Sequence, residues 1–412
     1  MAEKSVGATA ARKTFAALSY PNYRLWFFGQ MTSLFGTWMQ STAQGYLVFE
    51  LTHSEAYLGY VGFASGIAMW VFTLWGGVVA DRVPRRSMLV VTQTLSMLLA
   101  FVLSALTFTR VVALWHIIVL AFALGVVNAF DAPARQSFVL EMVDRHHLTN
   151  AIALNSTMFN MATAVGPAVG GLTYAFFGPG WCFAINGVSF VAVIAALLAM
   201  KFERWTPPVR TGSPFADIRE GLRAVAADKR ILSIICLVGA VSLFGMSFVT
   251  LLPAWAVQVL GGDARTNGFL QSARGFGSLV AALAIASLGH FRFKGKLVTA
   301  ASFGMPLLLI LFSFTRVLPL SLIGLMAVGA ANITMLNMAN SLVQTLTPDA
   351  VRGRVMSLYT LSFFGFMPIG ALMAGGIAEA VDTPLTVAIG AAATLLCVVA
   401  ITLAVPSLRK LE

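Results

Sequence analysis

The chain has 412 residues, of which 58% are hydrophobic and only 10% charged, and its formal net charge is +11. Water-soluble domains carry roughly 25% charged residues, so a soluble globular fold is excluded and lipid is the solvent that accepts this composition. The positive surplus needs a distribution before it means anything, because nucleic acid and anionic lipid both attract it.

Residues 1–24 are polar and basic, with Lys4, Arg12, Lys13 and Arg24. The apolar run that follows, 25–51, is too long for a signal-peptide core and reads as a retained first span. Within it Gln30, Ser33, Thr37, Ser41 and Gln44 recur in steps of three and four, one polar stripe on a helix, with Trp38 beside it. Glu50 closes the span. Further stretches of the required length, about 20 residues, follow at 55–80, 87–109, 112–131, 149–177 and 181–201. Asn128 and Asp131 fall at the end of the fourth, and no Asp or Glu is expected near the middle of any span.

The longest connection, 202–230, carries Phe215, Ile218, Leu222 and Val225 at helical spacing, with Arg219, Arg223 and Lys229 opposite. Ser213 and Pro214 form a cap and first-turn pair. An amphipathic helix on the membrane surface is expected here, linking two halves. Six more spans follow at 231–258, 267–289, 297–315, 317–336, 353–379 and 384–405. The eighth holds Gln271 and Arg274, the one clear cation inside a span, placed either to snorkel to the headgroups or to face a cavity and pair with Glu50 or an anionic substrate.

With the N-terminus taken as cytoplasmic, 23 of the 27 Lys and Arg fall on inner segments and three (Arg110, Arg265, Arg316) on outer ones. That bias is the positive-inside signal. The net charge therefore reflects topology and lipid, not nucleic acid. Both termini are expected in the cytoplasm of a bacterial cell with the protein in its inner membrane.

The two halves repeat. Ser33–Gly36 recurs as Ser242–Gly245, and Gly59 and Gly66 meet Gly268 and Gly275, at an offset of 209. Gly125, Asn128, Gly166 and Gly171 meet Gly329, Asn332, Gly370 and Gly375 at an offset of 204. The expected architecture is an all-α membrane protein of twelve helices in two parallel six-helix repeats: a bundle over 1–201, a connection over 202–230 and a bundle over 231–412. No ATP machinery appears, because the Gly289–Lys296 stretch has the wrong spacing for a phosphate loop and is followed by Leu297. Cys182, Cys236 and Cys397 lie on different helices without C-x-x-C pairing, so neither disulfide nor metal site is indicated. No enzyme chemistry or cofactor is expected, and the chain is expected to act as a monomer on a small-molecule substrate.

Several motifs carry a resemblance. Gly77 to Arg86 reads G-x-x-x-D-R-x-P-R-R, similar to the loop signature of the major facilitator superfamily with Pro84 for a Gly. The resemblance implies a cytoplasmic latch of Asp81, Arg82, Arg85 and Arg86, with Asp131 as the acid the arginines reach. The second half has only a degenerate copy, 290–294, without an acid. Ala162, Gly166, Pro167, Gly170 and Gly171 resemble the antiporter motif of the superfamily's exporters, with Ala162 for the first Gly. It implies close helix packing and a bend at Pro167.

Tyr20–Trp26, Gly36–Gln40, Asn128–Gln136 and Asn150–Ser156 resemble the enterobactin-exporter-like branch, also called the transmembrane secretion effector family. The resemblance implies alternating access around a cavity lined by spans one, four, seven and ten. It places Gln30, Ser33, Thr37, Trp38, Ser41, Gln44, Gln271 and Arg274 on that cavity as candidates. It also implies efflux of amphipathic drugs or siderophores. Proton antiport is the expected coupling, although Ala121 stands where such exporters often carry an Arg, and Glu50 is the candidate proton site left by the placement of the acids. A nutrient importer on the same fold and a non-transporting sensor or scaffold are the rival readings.

Overall fold

The computed structural model describes residues 15–80, 82–202, 214–287 and 293–410. Among them the regular structure is helical. The first half holds α1 (Pro21–Thr52), α2 (Glu55–Ala80), α3 (Arg85–Phe108), α4 (Leu114–Met142), α5 (Leu148–Phe177) and α6 (Pro179–Ala199). A connecting helix (Pro214–Ala227) leads to α7 (Lys229–Val259), α8 (Ala264–Ser287), α9 (Lys294–Ser313), α10 (Leu318–Leu346), α11 (Arg352–Ala380) and α12 (Thr383–Ala404).

Ten of these helices are long and apolar enough to cross a membrane. The other two long helices are α1 and α5, with 32 and 30 residues. Their Gln, Ser, Thr and Asn content lowers their hydropathy.

Local chemistry sets the turns. Pro at the first turn opens α1, α6, α10 and α12, where its missing N–H costs nothing. Gly178, at φ 87°, makes the tight reversal between α5 and α6 that a side chain would strain. Asp228 caps α7 by accepting from the Arg230 backbone N–H at 2.8 Å. The hydrogen-bonded Arg230 guanidinium holds its carboxyl below the usual carboxylate range.

Two helices run past their sequence boundaries. The apolar stretches of α4 and α10 end near 131 and 336, but the helices continue to Met142 and Leu346. Pro133 does not stop α4, because Phe138, Val139 and Met142 on the extension bury into the first-half core. Asp131 thus sits inside a helix rather than at its end, where the sequence boundary at 131 had it. The connecting helix docks on α11 through a Glu220–Arg354 ion pair at 2.7 Å and through Val225, which is buried in the second-half core. Leu222 is exposed. Ser213 lies outside the described residues.

The repeat seen in sequence is a repeat of contacts. A Cβ placed on Gly59 would lie 2.8 Å from Ala371 O and 3.3 Å from Gly375 Cα. On Gly268 it would lie 2.5 Å from Pro167 O and 3.0 Å from Gly171 Cα. Each partner is the other's counterpart at the two offsets. Likewise Gly125 abuts Ser65 O, and Gly329 abuts Arg274 O. The halves meet along two such helix pairs, α2 with α11 and α5 with α8. Backbone approaches this close are what small residues provide in lipid, where no hydrophobic effect drives helices together.

Candidate functional site

Between the halves lies a cavity of about 460 Å³. One wall is the polar face of α1: Gln30, Ser33, Thr37, Ser41 and Gln44 all line it, joined by Gln40. Ser65 on α2, Gln93 and Ser96 on α3, Asn128, Asp131 and Arg135 on α4 and Asn186 on α6 complete the polar groups of the first-half side. The second half supplies Val249, Thr250 and Pro253 of α7, Gln271 of α8, and Phe364, Met367 and Pro368 of α11. No lining residue comes from α10, so the four-helix wall implied by the resemblance is replaced by one weighted toward the first half.

The polar groups are held in networks. Asp131, 2% exposed, accepts from Thr92 Oγ1 at 2.8 Å and Gln93 Nε2 at 2.7 Å through Oδ1. Its Oδ2 lies 2.7 Å from the Arg135 guanidinium one turn on, without the alignment of a hydrogen bond. Asn186 donates to Gln40 at 2.7 Å, an approach that Gly36 permits by leaving α6 room against α1. Gln271 donates to Asn267 at 3.2 Å and accepts from Thr42 Oγ1 at 3.3 Å, tying α8 to α1.

One end of the cavity is sealed. Ser54 and the Ala56 N–H donate to Glu379, at 2.6 and 3.3 Å, and Thr383 donates to Glu55 at 3.3 Å. α5 joins α8 where Ser272 Oγ accepts from the Ala168 N–H, next to Pro167, at 2.8 Å. These hydrogen bonds between the halves lie away from the end where α1 begins and α12 finishes. Gly171 and Gly375 make their cross-half contacts at the sealed end.

Other expected site residues lie elsewhere. Trp38 is not on the cavity wall: it packs edge-on against Phe159 at 5.7 Å, and its Cβ is the neighbour Gly166 leaves room for. Arg274 does not line the cavity either, and pairs with neither Glu50 nor another described acid; its Nε is buried without a partner. Glu50 is exposed at the sealed end, where it accepts from the Tyr174 hydroxyl.

Of the loop signature, Asp81 lies outside the described residues, as does 290–292 of its second-half copy. Arg85 pairs with Glu141, and Arg86 donates to the carbonyls of Leu197 and Leu198 at 2.6 and 2.9 Å. Arg82 donates its backbone N–H to Val79. Asp131 is therefore not the arginines' acid; the extended α4 brings Glu141 to them instead. The small residues of α5 face two helices: Gly166 and Gly170 abut α1, Gly171 abuts α8, and Ala162 is fully buried.

Sequence reasoning missed the contribution of α3. Thr92, Gln93 and Ser96 are spaced as one helical face within an apolar span, a signal of the same kind as the α1 stripe.

The family model described as transmembrane secretion effector matches residues 12–412. The chain is similar to the staphyloferrin A transporter of Staphylococcus aureus (strain NCTC 8325 / PS 47), 24% identical over 84% of this chain and 87% of that one. It is similar to the multidrug efflux pump Tap of Mycolicibacterium fortuitum, 27% identical over 93% and 96%. It is also similar to the enterobactin exporter EntS of Shigella flexneri, 24% identical over 87% and 85%. Among solved structures it resembles the nucleoside transporter NupG, with TM-score 0.69 and 16% identity over 94% and 98% of the two chains. A bacterial homologue of the human lysosomal transporter Spinster, inward-facing and occupied, gives TM-score 0.70 and 14% identity over 94% and 96%.

Proposed function

The chain belongs to the transmembrane secretion effector family of the major facilitator superfamily, and from that membership we propose that it exports amphipathic small molecules, of the drug or siderophore class, by alternating access across the bacterial inner membrane. The observation that carries this reading is the cavity between the repeats, sealed at one end by paired glycine crossings. Rocking the halves about those crossings would open that end and close the other. With both termini cytoplasmic, the sealed end is the outer one.

Proton antiport is part of the proposal, with the carrier moved from Glu50 to Asp131. A carboxylate buried in the cavity wall is reached from whichever side the cavity opens to, whereas Glu50 lies outside it. Protonation of Asp131 would release its hold on Arg135 and change the charge balance of the wall.

The test is a deletion strain together with full-length protein in proteoliposomes. Intracellular retention of the exported compound in the deletion strain, and flux driven by an imposed pH gradient, are expected. Loss of growth on a nutrient would favour import instead, and absence of any flux would favour a sensor or scaffold.

A further inference from the structure

The halves also touch beside the glycine crossings, where the repeat maps the contact of α1 with α8 onto that of α7 with α2. The two contacts differ in chemistry. Between α1 and α8 runs a ring of hydrogen bonds. The Thr42 carbonyl only accepts, so Asn267 presents its amide nitrogen to it, at 3.4 Å. Asn267 Oδ1 is left to accept from Gln271 Nε2 at 3.2 Å, and Gln271 Oε1 accepts from the Thr42 hydroxyl at 3.3 Å. The ring closes on the residue where it began. Thr42 and Asn267 are 1% and 0% exposed, while Gln271 lines the cavity. The ring therefore leads from the cavity wall into the seam between the halves.

At the 209-residue offset its members correspond to Leu251, Leu58 and Gly62. No side-chain hydrogen bond can form among these. Leu251 and Leu58 are buried, and a Cβ on Gly62 would lie 3.9 Å from Thr250 Cγ2, next in the chain to Leu251.

We propose that the outer end opens along the α1–α8 seam, so that Thr42, Asn267 and Gln271 become the wall of the exit path, while the α7–α2 seam stays closed; this rests on the alternating-access reading above. Energetics favour that side. The ring's bonds are neutral and longer than the usual separation of about 2.9–3.0 Å, and water replaces each of them at small net cost when the seam parts. Leu251 and Leu58 gain nothing from water and lose their burial.

Mechanics favour it too. The α1 helix is uninterrupted from Pro21 to Thr52 and moves with its half as a rod. In α7 a π turn at Val241–Gly245 and a 3-10 segment at Ser247–Leu251 stand just before and at the apolar seam. Such breaks let a helix bend, so α7 can follow α2 while α8 leaves α1. The glycine crossings remain the pivots on both sides. The wall uncovered in this way carries a hydroxyl and two carboxamides and no charge, so it offers donors and acceptors to passing head groups of either sign.

Thiol labelling from outside tests the asymmetry. Spheroplasts carrying the full-length chain, with Cys182, Cys236 and Cys397 replaced by alanine, are treated with a membrane-impermeant sulfonated maleimide. Thr42→Cys keeps a hydrogen-bond donor in the ring, and Leu251→Cys reports the counterpart. Both sites start 1% exposed, so labelling reads opening. Thr42→Cys should react about tenfold or more faster, because parting the other seam uncovers Leu58 and its apolar surroundings.

A second variant separates an exit path from a clasp. Thr42→Val, Asn267→Leu and Gln271→Leu together make the α1–α8 seam as dry as its counterpart. External labelling of Gln44→Cys, on the cavity wall, should then fall about threefold or more, since the seam now resists water. Loss of a clasp that only holds the seal would raise that labelling instead. Labelling of Gln44→Cys from the inner side, in inside-out vesicles, certifies that the triple variant is folded, and the comparison of Thr42→Cys with Leu251→Cys stands without it. Equal rates at those two sites, or unchanged or raised labelling of Gln44→Cys in the triple variant, overturns the proposal. If no site labels from outside, Gln44→Cys in the parent included, the outer end does not open and the alternating-access reading is overturned with it.

Discussion

At the cavity-facing position of α4 the first half holds Asp131, with Arg135 one turn on. The counterparts at the 204-residue offset, Met335 and Ala339, are fully buried in the second-half core. The α1 stripe of Gln30, Ser33, Thr37, Ser41 and Gln44 has Gly239, Ser242, Met246, Thr250 and Pro253 as its counterparts on α7. Uninterrupted α1 carries polar groups. By contrast, α7 is interrupted by two π-helical turns and a 3-10 segment around Pro253, and it packs Trp255 on Phe312 at 4.3 Å.

The cores differ in the same sense. Most second-half buried residues form one apolar cluster, while those of the first half fall into three, one of which also takes in Ala254 and Ala264 of the second half. A duplicated frame has kept its backbone crossings and divided its labour. One half carries the polar chemistry, and the other supplies an apolar counter-surface and an irregular helix, a feature frequent at functional sites.

The division is most sharply tested at Asp131. Asp131→Asn should lower pH-gradient-driven flux roughly hundredfold, the scale seen when a positioned proton-transfer group is removed. Met335→Leu at the matching position should change flux less than about twofold, as a volume-conserving swap does. Flux in proteoliposomes at matched protein content checks both. Equal losses would mean that the chemistry is shared between the halves.

The cores come next. Leu309→Ala, fully buried in the continuous second-half cluster, should cost about 2–5 kcal/mol of stability. Met158→Ala, in a small first-half cluster beside Leu34 and Ala162, should fall toward the low end of that ~2–5 kcal/mol range, because its surroundings can collapse more readily. Thermal melting in one detergent compares them, and the reverse order would contradict the contrast between the cores.

The glycine crossings are where the halves should behave alike. Gly171→Leu and Gly375→Leu each drive a side chain into a facing helix backbone, at a cost of about 1–3 kcal/mol for overpacking. Both should weaken the sealed end equally, read as increased labelling of a cysteine placed at Gln44. A large effect from one and none from the other would show that the seal is not a symmetric device.

How much of this was legible in the sequence follows the same physics. The α1 stripe was readable because polar residues in lipid need a reason, and a step of three and four puts them on one face. The glycine matches were readable because close backbone contact tolerates so few residue types. Asp131 was misplaced because hydropathy marks where the apolar stretch stops and not where the helix does. Trp38 was assigned to the cavity for its neighbours in sequence, yet it lies off the stripe and packs on Phe159. Arg274 is more instructive: its counterpart Ser65 lines the cavity while Arg274 does not, so equivalence of backbone position did not carry over to the longer side chain.

The smallest expected effect belongs to Glu50, and it sharpens the comparison by separating place from charge. Glu50 and Asp131 are both first-half carboxylates with a hydrogen-bonding neighbour. One is exposed at the sealed end and bonded to Tyr174 of its own half; the other is buried in the cavity wall. If access from alternate sides is what makes an acid useful for coupling, charge on the first half is not enough, and Glu50→Gln, which keeps an acceptor for the Tyr174 hydroxyl, should leave the response of flux to an imposed pH gradient within about twofold of the parent, as most surface substitutions do. A loss comparable to that of Asp131→Asn would mean that protons travel through the sealed end along α1 and α5. The cavity would then be the path of the exported molecule alone, and the polarity of the first half would reflect two separate routes.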